Sequence, residues 1–413
     1  MTTPLNQVDP EIMHVDLNAC FAMTEQQANP LLRGRAVAVT NRGDNDWATI
    51  VAPSYEAKSV GIKCGTRVNE AKRKSPGLIV LETDPPKYRY VHGVIKRIFE
   101  DLCPSVTMKS IDEGVLDFRG TEKIRVKTLE QIGQEIKRRV SEELGEWMTV
   151  NVGISTNRFL AKLAASLNKP NGLETIDAGN LEGIYLALKL TDLNGINRRY
   201  KLRLALNGIN TPLEFLDATE RQLSKQVFKS IHGRHWYYRL RGYEVDNFET
   251  RMRQAGKQYV LANKTSDRQE ILRELYRLCY FVNYRLTKRG KMAGSLYVAL
   301  RTVEGERKKA QIRLEEPIQR IMDIQRIAKG LLDSIPINSH VSQVDIVASN
   351  LRPPNSNQES LYETVVQTND RIDLAIKNTN RKFGDFSLIP ANLIGNIGYA
   401  GEKIAFGGTD YLG

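Results

Sequence analysis

Cysteine is scarce in this chain: four residues in 413, Cys20, Cys64, Cys103 and Cys279, none at CxxC or any other metal-ligand spacing. That argues against a disulfide framework and against a zinc site, and for a reducing compartment in which the thiols serve as core residues. Long apolar runs are missing as well. No N-terminal apolar stretch of the secretory kind and no segment of about 18 apolar residues occurs, so neither export nor a membrane span is expected, and the location expected is the cytoplasm. Negative charge is in deficit, with 48 Asp and Glu against 60 Lys and Arg and a net charge of +12. Polyanions are therefore plausible partners. Residues 251–350 alone hold 19 Lys and Arg against 10 Asp and Glu. Such a segment either grips a phosphate backbone or is a solvated basic surface.

At this length two to four folding units are expected. The first 172 residues alternate strands and helices. Strands are read at "IMHVDLN" (12–18), "GRAVAVT" (34–40), "ATIVAP" and "MTVNVGIS" (148–155). Between them fall a helix stopped by Pro30, a helix "SYEAKSVG" capped by Ser54 and closed by Gly61, and a longer one through Val91, Val94, Ile95, Ile98 and Phe99 up to Pro104. Charged helix 125–144 and helix "TNRFLAKLAASLNKPNG" complete an α+β core. From 183 to 245 the pattern is helical, with "LNGIN" at 193–197 echoed at 206–210 around a basic helix. This echo suits a helix-hairpin-helix whose glycine N–H groups approach a phosphate at Gly195 and Gly208; chance recurrence of a capping glycine would look the same. A polar linker is read at 246–256. A β-α-β-β-α-β order follows to 351, with helices at 267–287 and 317–333, forming a second α+β domain. The polar tail, 352–413, is expected to be mobile, with one helix at 366–382.

The most informative stretch is "MKSIDEGVLDF", residues 108–118, where Asp112 and Glu113 stand side by side in a strand-like run. Neighbouring strand side chains point to opposite faces, so the pair cannot decorate one polar face. Together with Asp16, at the end of the first strand, they form a set of acids at strand ends. Such acids repel one another, and a divalent cation relieves the repulsion; oxygen ligands without His or Cys favour Mg²⁺ or Mn²⁺. Two bridged ions suit in-line phosphoryl transfer. Turn capping or ion pairing with Lys and Arg explains the spacing equally well.

Four ordered motifs carry a resemblance. "HVDLNACFAMTEQQANPLLRGRAVAV", "SYEAKSVGIKCGT", "SIDEGVLDF" and "VGISTNRFLAKLAASLNKPNG" resemble, in register over residues 12–350, the palm and fingers motifs of the Y-family, or translesion, DNA polymerases. The resemblance implies an α+β multidomain right-hand polymerase. Its parts are a catalytic palm (1–19 and 85–172), fingers (20–84), a helix-hairpin-helix thumb (173–245), a linker (246–256) and a little finger (257–351). It implies template-directed addition of deoxynucleotides to a primer 3′-OH by two-metal phosphoryl transfer during low-fidelity lesion bypass, in the bacterial cytoplasm. Asp16, Asp112 and Glu113 match the metal-binding acids, with the Leu17 carbonyl as a further ligand, for two Mg²⁺ ions or Mn²⁺. Phe21 matches the steric gate, whose ring leaves no room for a 2′-OH. Tyr55, Lys58 and Lys162 match triphosphate contacts, and Val51 the small residue over the nascent base pair. Primer–template DNA and a deoxynucleoside triphosphate are the implied partners of a monomer.

Several positions depart from the pattern: Lys58 stands for Arg, losing bidentate geometry, Ala52 for Thr, Cys20 for an aromatic and Val115 for Tyr. None removes a metal ligand. In the tail, "QESLY" at 358–362 resembles the peptide by which bacterial polymerases dock on the sliding clamp, with Leu361 and Tyr362 in an apolar pocket and Gln358 making the polar contact. Two rivals remain open on sequence alone: a non-catalytic DNA-binding scaffold of the same shape, and another palm-type enzyme such as a nucleotide cyclase. Retention of the three acids and the gate argues against the first, the helix-hairpin-helix and basic domain against the second.

Overall fold

The computed structural model describes residues 3–121, 127–247, 253–354 and a few positions between 375 and 388. The Gln358, Leu361 and Tyr362 peptide and most of the tail lie outside the described residues. The chain divides into two compact units, one holding the described residues up to Asn247 and the other those from Arg253 on.

The first unit is built from β1 (Ile12–Leu17), α1 (Cys20–Ala28), β2 (Val37–Thr40), β3 (Ile50–Pro53), α2 (Tyr55–Ser59), α3 (Val68–Lys74), β4 (Ile79–Glu82) and α4 (Pro85–Leu102). Then come β5 (Val106–Met108), β6 (Glu113–Asp117), α5 (Leu129–Leu144), β7 (Val150–Ser155), α6 (Arg158–Ser166) and β8 (Leu173–Ile176). Four helices follow, α7 (Leu181–Ala187), α8 (Arg198–Ala205), α9 (Pro212–Asp217) and α10 (Ile231–Leu240).

Five strands form a sheet in the order β5-β6-β1-β7-β8. β1 sits at its centre, between β6 and β7, with an apolar face of Met13, Val15 and Leu17 and a second face of Ile12, the buried His14 and Asp16. Met13, Val15 and Leu17 enter the main core with Ile95, Ile98 and Phe99 of α4 and Ile132, Ile136 and Val140 of α5. Ile12 packs with Val115 and Ala161 on the face that α6 covers. That contact needs Gly153: a Cβ there would overlap the backbone of Ala161 and Ala165, so a side chain would lift α6 off β7. Gly114 is likewise demanded, since a Cβ would lie 2.9 Å from the Phe99 ring. α4 follows the 3.6-residue period expected of it, with an Asp84 N-cap, Pro85 in its first turn, and Tyr88, Val91, Ile95 and Phe99 buried.

A smaller sheet, β3-β2-β4, has its own core of Ala38, Ile50, Ala57, Ile62, Val68 and Ala71. The sequence division at residue 20 cuts differently from the packing, for Cys20, Phe21, Ala22 and Met23 of α1 belong to the core of the five-stranded sheet. In the helical segment, Phe215, Phe228 and Trp236 stack beneath the turn at Gly195. α5 begins at Leu129 with a Thr128–Gln131 capping box.

The second unit has the expected order: β9 (Gln254–Thr265), α11 (Arg268–Lys288), β10 (Met292–Thr302), β11 (Arg307–Ile318), α12 (Ile321–Asp333) and β12 (Val341–Arg352). The sheet runs β11-β10-β12-β9, all antiparallel. β9 starts at Gln254, so the last residues of the linker read at 246–256 are strand. Leu296, Val298, Leu300, Val344 and Ile346 pack on α11 and α12. By the two-residue alternation, the opposite face carries Arg301, Arg307, Lys309 and Arg313. The basic excess of this segment is thus partly gathered on one sheet face.

Candidate functional site

A cleft of about 490 Å³ opens where the ends of β1 and β6 meet the small sheet. It is lined by Asp16, Leu17, Phe21, Val51, Tyr55, Lys58 and Asp112, seven of the residues singled out in the sequence, and also by Cys20, Ala52, Cys64 and Lys169. Local geometry explains the convergence. After β1 the chain turns through Ala19, a left-handed residue at φ 43°, which swings Cys20 and Phe21 under the cleft. The Leu17 N–H donates to the Asp112 carbonyl at 2.9 Å, fixing the loop before β6 against the end of β1. Ser54 caps α2 by accepting from the Ala57 N–H, and α2 then presents Tyr55 and Lys58.

The aromatic floor is rigid. Phe21 is only 3 % exposed and stacks on Tyr88, centroids 4.3 Å apart and planes 10° off parallel. The Tyr88 hydroxyl donates to Glu25 at 2.8 Å, and Lys87 pairs with the other Glu25 oxygen at 2.6 Å. Asn18, fully buried, is the hinge pin of the opposite wall. Its Nδ2 donates to Thr149 Oγ1 at 2.9 Å and its Oδ1 accepts from the Tyr55 hydroxyl at 3.1 Å. Neither Tyr88 nor Asn18 was picked from sequence as a site residue; no local spacing marks them, because both act by contacts made across the fold.

Electrostatics set the acids apart. Burial raises the Asp112 carboxyl to about 6; Asp16 and Glu113 push the same way, and the Ser110 hydroxyl, which donates to it, pulls back. Burial also lifts the Tyr55 hydroxyl to about 12, helped by Asp16, and lifts the Cys20 thiol, helped by Asp112. Lys58, its ammonium 4.3 Å from the Tyr55 ring centre, is lowered by burial and then by Lys169. Asp16 is ion-paired to Lys169.

Glu113 does not join the other two acids. Burial acts to raise its carboxyl, but hydrogen bonds from His14 Nε2 at 3.2 Å and Lys162 Nζ at 2.7 Å outweigh it and bring the carboxyl down to about 2. It faces a second cleft, lined by His14, Lys109, Arg158, Lys162, Gly195, Trp236 and Arg239. Two expectations change accordingly. Lys162 does not line the first cleft with Tyr55 and Lys58, because its place on α6 aims it at Glu113; Lys63 and Lys169 line it, and Lys169 is the one paired with Asp16. Lys169 stands in "SLNKPNG", past the end of α6 and ahead of Pro170. Gly208 is not a free backbone donor either. It is left-handed at φ 77°, and its N–H donates to the Ala205 carbonyl, closing the C-terminus of α8 as a capping glycine does. Gly195, left-handed at φ 95°, has no partner for its N–H among the described residues.

Among the described residues no three His, Cys, Asp or Glu side chains are gathered closely enough to hold a metal ion. The donor chemistry nonetheless fits a hard divalent cation. Two carboxylates and the Leu17 carbonyl region on one cleft are what Mg²⁺ uses when substrate phosphates and water complete its shell.

Known proteins resemble this chain over most of its length. The impB/mucB/samB family profile matches residues 15–166, and the profile of that family's C-terminal domain matches residues 252–361. Curated relatives include the DNA polymerase IV of Staphylococcus haemolyticus (strain JCSC1435), 29 % identical over 360 residues that span 86 % of this chain and 98 % of the relative. The DNA polymerase IV of Staphylococcus aureus (strain JH9) is also 29 % identical, over 86 % of this chain and 99 % of its own. Among solved structures, a chimera of the Y-family DNA polymerases Dbh and Dpo4 superposes with a TM-score of 0.71 at 21 % identity, covering 83 % of this chain and 99 % of that one. An insertion ternary complex of Dbh DNA polymerase superposes with a TM-score of 0.56, also at 21 % identity and over the same shares. The chain therefore belongs to the impB/mucB/samB family, and is a Y-family translesion DNA polymerase.

Proposed function

We propose that the first cleft is the nucleotide site of this polymerase and that Asp16 and Asp112 hold a divalent cation there, Mg²⁺ by preference and Mn²⁺ as a substitute. The observation that carries this is the convergence on one cleft of two acids, a stacked aromatic floor, a half-buried tyrosine and three lysines. When bound, the cations activate the primer 3′-oxygen and offset charge on the leaving pyrophosphate. The protein's share is positioning. Phe21, pinned by Tyr88, leaves no depth for a 2′-OH, so deoxynucleotides are chosen. Tyr55, Lys58 and Lys169 take the triphosphate, the lysines by charge and the hydroxyl by hydrogen bonding. Val51 roofs the nascent base pair with little bulk. Glu113 completes the acid set in the working state.

The five-stranded sheet with α1, α4, α5 and α6 would be the palm, which takes in β8 at the start of the 173–245 segment read as thumb; the small sheet would be the fingers, the rest of that segment, from Asp177 to Val245, the thumb, and the second unit the little finger. Primer–template DNA would be held by the Gly195 N–H and by the basic sheet face carrying Arg301, Lys309 and Arg313, contacts that read no sequence. The Dbh ternary complex among the solved relatives supports a DNA and nucleotide pairing here. The 358–362 peptide would tether a monomer to a sliding clamp in the bacterial cytoplasm.

Primer extension with Mg²⁺ on undamaged and abasic templates tests the assignment. Wild type should extend both, Asp112→Ala neither, with DNA binding retained. Full extension by Asp112→Ala would remove the acids from the chemistry, and binding without extension by wild type would favour a non-catalytic scaffold.

A further inference from the structure

We infer that Glu113 is kept out of the acid pair by Lys162 and His14, and joins it only when a backbone phosphate of the primer strand takes Lys162 away. The inference rests on the metal reading above. Glu113 is the cross-strand partner of Asp16 in the β1–β6 register. Directly opposed residues have Cβ atoms about 5 Å apart, so a side-chain rotation alone, with no movement of the backbone, brings this carboxylate to the Asp16 edge. It is turned the other way because Lys162 Nζ at 2.7 Å and His14 Nε2 at 3.2 Å both bind Oε2. Among the described residues the buried His14 ring has no second anchor, since its Nδ1 finds no partner there.

The cleft into which Glu113 is turned is built to receive an anion. Lys109 lines it without an ion pair among the described residues. The Gly195 N–H is uncommitted among the described residues, and Arg158 and Arg239 flank the opening, held at 3.2 Å to Asp117 and 2.8 Å to Asp246. A phosphate diester entering beside Lys109 and Gly195 competes directly with Glu113 for Lys162. Once displaced, Glu113 meets Asp16 and Asp112, where only a cation makes a third carboxylate tolerable. DNA binding and the completion of the metal site are then one linked equilibrium, and each must strengthen the other by the same factor. His14 and Lys162 are positioning residues in this scheme, acting through Glu113.

The test is Mn²⁺ binding followed by electron paramagnetic resonance, with no turnover involved. Wild type, Lys162→Met and Lys109→Met are compared with and without a short primer–template ending in a dideoxy nucleotide. Wild type should bind Mn²⁺ roughly tenfold more tightly once DNA is present, within the usual range of coupling between sites. Lys162→Met should show the tight affinity without DNA and gain nothing from it. Lys109→Met should keep the weak DNA-free affinity of wild type. An unchanged DNA-free affinity in Lys162→Met, or an equal rise in Lys109→Met, would overturn the inference, the second because it reveals a general charge effect. A free deoxynucleoside triphosphate that produces the gain without DNA in wild type but not in Lys162→Met would overturn it as well, because the nucleotide and not DNA would then be what draws off Lys162. Asp112→Asn should lose Mn²⁺ binding in every condition; if it does not, the metal reading itself fails, and that failure is recognisable apart from the others. Lys162 is 41 % exposed, so its replacement leaves the core intact, and tryptophan fluorescence checks the fold.

Discussion

Replacing Asp112 by Asn should stabilise the metal-free protein, and should do so only above acidic pH. Burial raises this carboxyl from 3.8 to about 6. An acid whose folded-state pKa lies above its unfolded value is bound more tightly by its proton in the fold, so the fold is favoured when the group is protonated. The wild type therefore has its full share of stability below about pH 3.8, loses it as the pH climbs through about 6, and stays at the lower level beyond. Each pH unit between the two values is worth about 1.4 kcal/mol, which makes the cost of the ionised group about 3 kcal/mol at pH 8 and under about 1 kcal/mol near pH 4. Asparagine carries no such cost and still accepts from the Ser110 hydroxyl.

The assay is urea unfolding in the presence of EDTA, followed by tryptophan fluorescence. All three tryptophans, Trp47, Trp147 and Trp236, lie in the first unit, so the signal reports the unit that holds the acids. With a urea slope in the usual range of roughly 1–3 kcal/mol per molar, Asp112→Asn should raise the midpoint by about 1 M or more at pH 8 and hardly at all at pH 4. A gain independent of pH, or a loss at pH 8, would refute the argument that burial charges the site against its own acid.

Other outcomes follow from the same geometry. Phe21→Ala should admit ribonucleotides in primer extension and, because the ring is buried on Tyr88, should lower stability by about 3–5 kcal/mol, while Phe21→Leu loses less. Lys169→Met should raise KM for the nucleotide about tenfold with little change in DNA affinity, whereas Lys162→Met should leave that KM nearly unmoved; the reverse pattern would restore Lys162 to the triphosphate. Asn18→Ala strands the half-buried Tyr55 hydroxyl at a cost of about 1 kcal/mol, and adding Tyr55→Phe should recover part of it in a double-mutant cycle read by thermal unfolding.

How much of this was readable beforehand depended on whether the determinant was local. The strand carrying Asp16, the α4 stripe through Val91, Val94, Ile95, Ile98 and Phe99, and the β-α-β-β-α-β order of the second unit are written in periodicity, and the structure has them where the periodicity puts them. The adjacency of Asp112 and Glu113 signalled opposed faces, and they do open on different clefts. What could not be read was which lysine goes with which acid. Lys162 and Lys169 are seven residues apart, one on α6 and one past its end, and only the seating of α6 over Gly153 decides which cleft each reaches. Gly208 meets a related limit. A left-handed glycine after a helix looks the same in sequence whether its N–H is free or, as here, spent on the Ala205 carbonyl.

The pairing of acids with lysines explains why three carboxylates coexist before any cation arrives. Asp16 is paired with Lys169 and Glu113 with Lys162, whereas among the described residues the Asp112 carboxylate has only the Ser110 hydroxyl, and it is the acid whose proton affinity rises. The unmet demand for positive charge is thereby concentrated on one residue, in the cleft that also holds the gate. Lys169 and Lys162 each have an alternative anion, the triphosphate for one and a primer phosphate for the other. Substrates that draw the lysines off thus expose the acids at the moment a cation is needed, and a site with only one substrate present keeps one acid covered. On this account Asp16 and Glu113 are released by different ligands, so nucleotide and DNA should each recover part of the cation affinity and only together the whole.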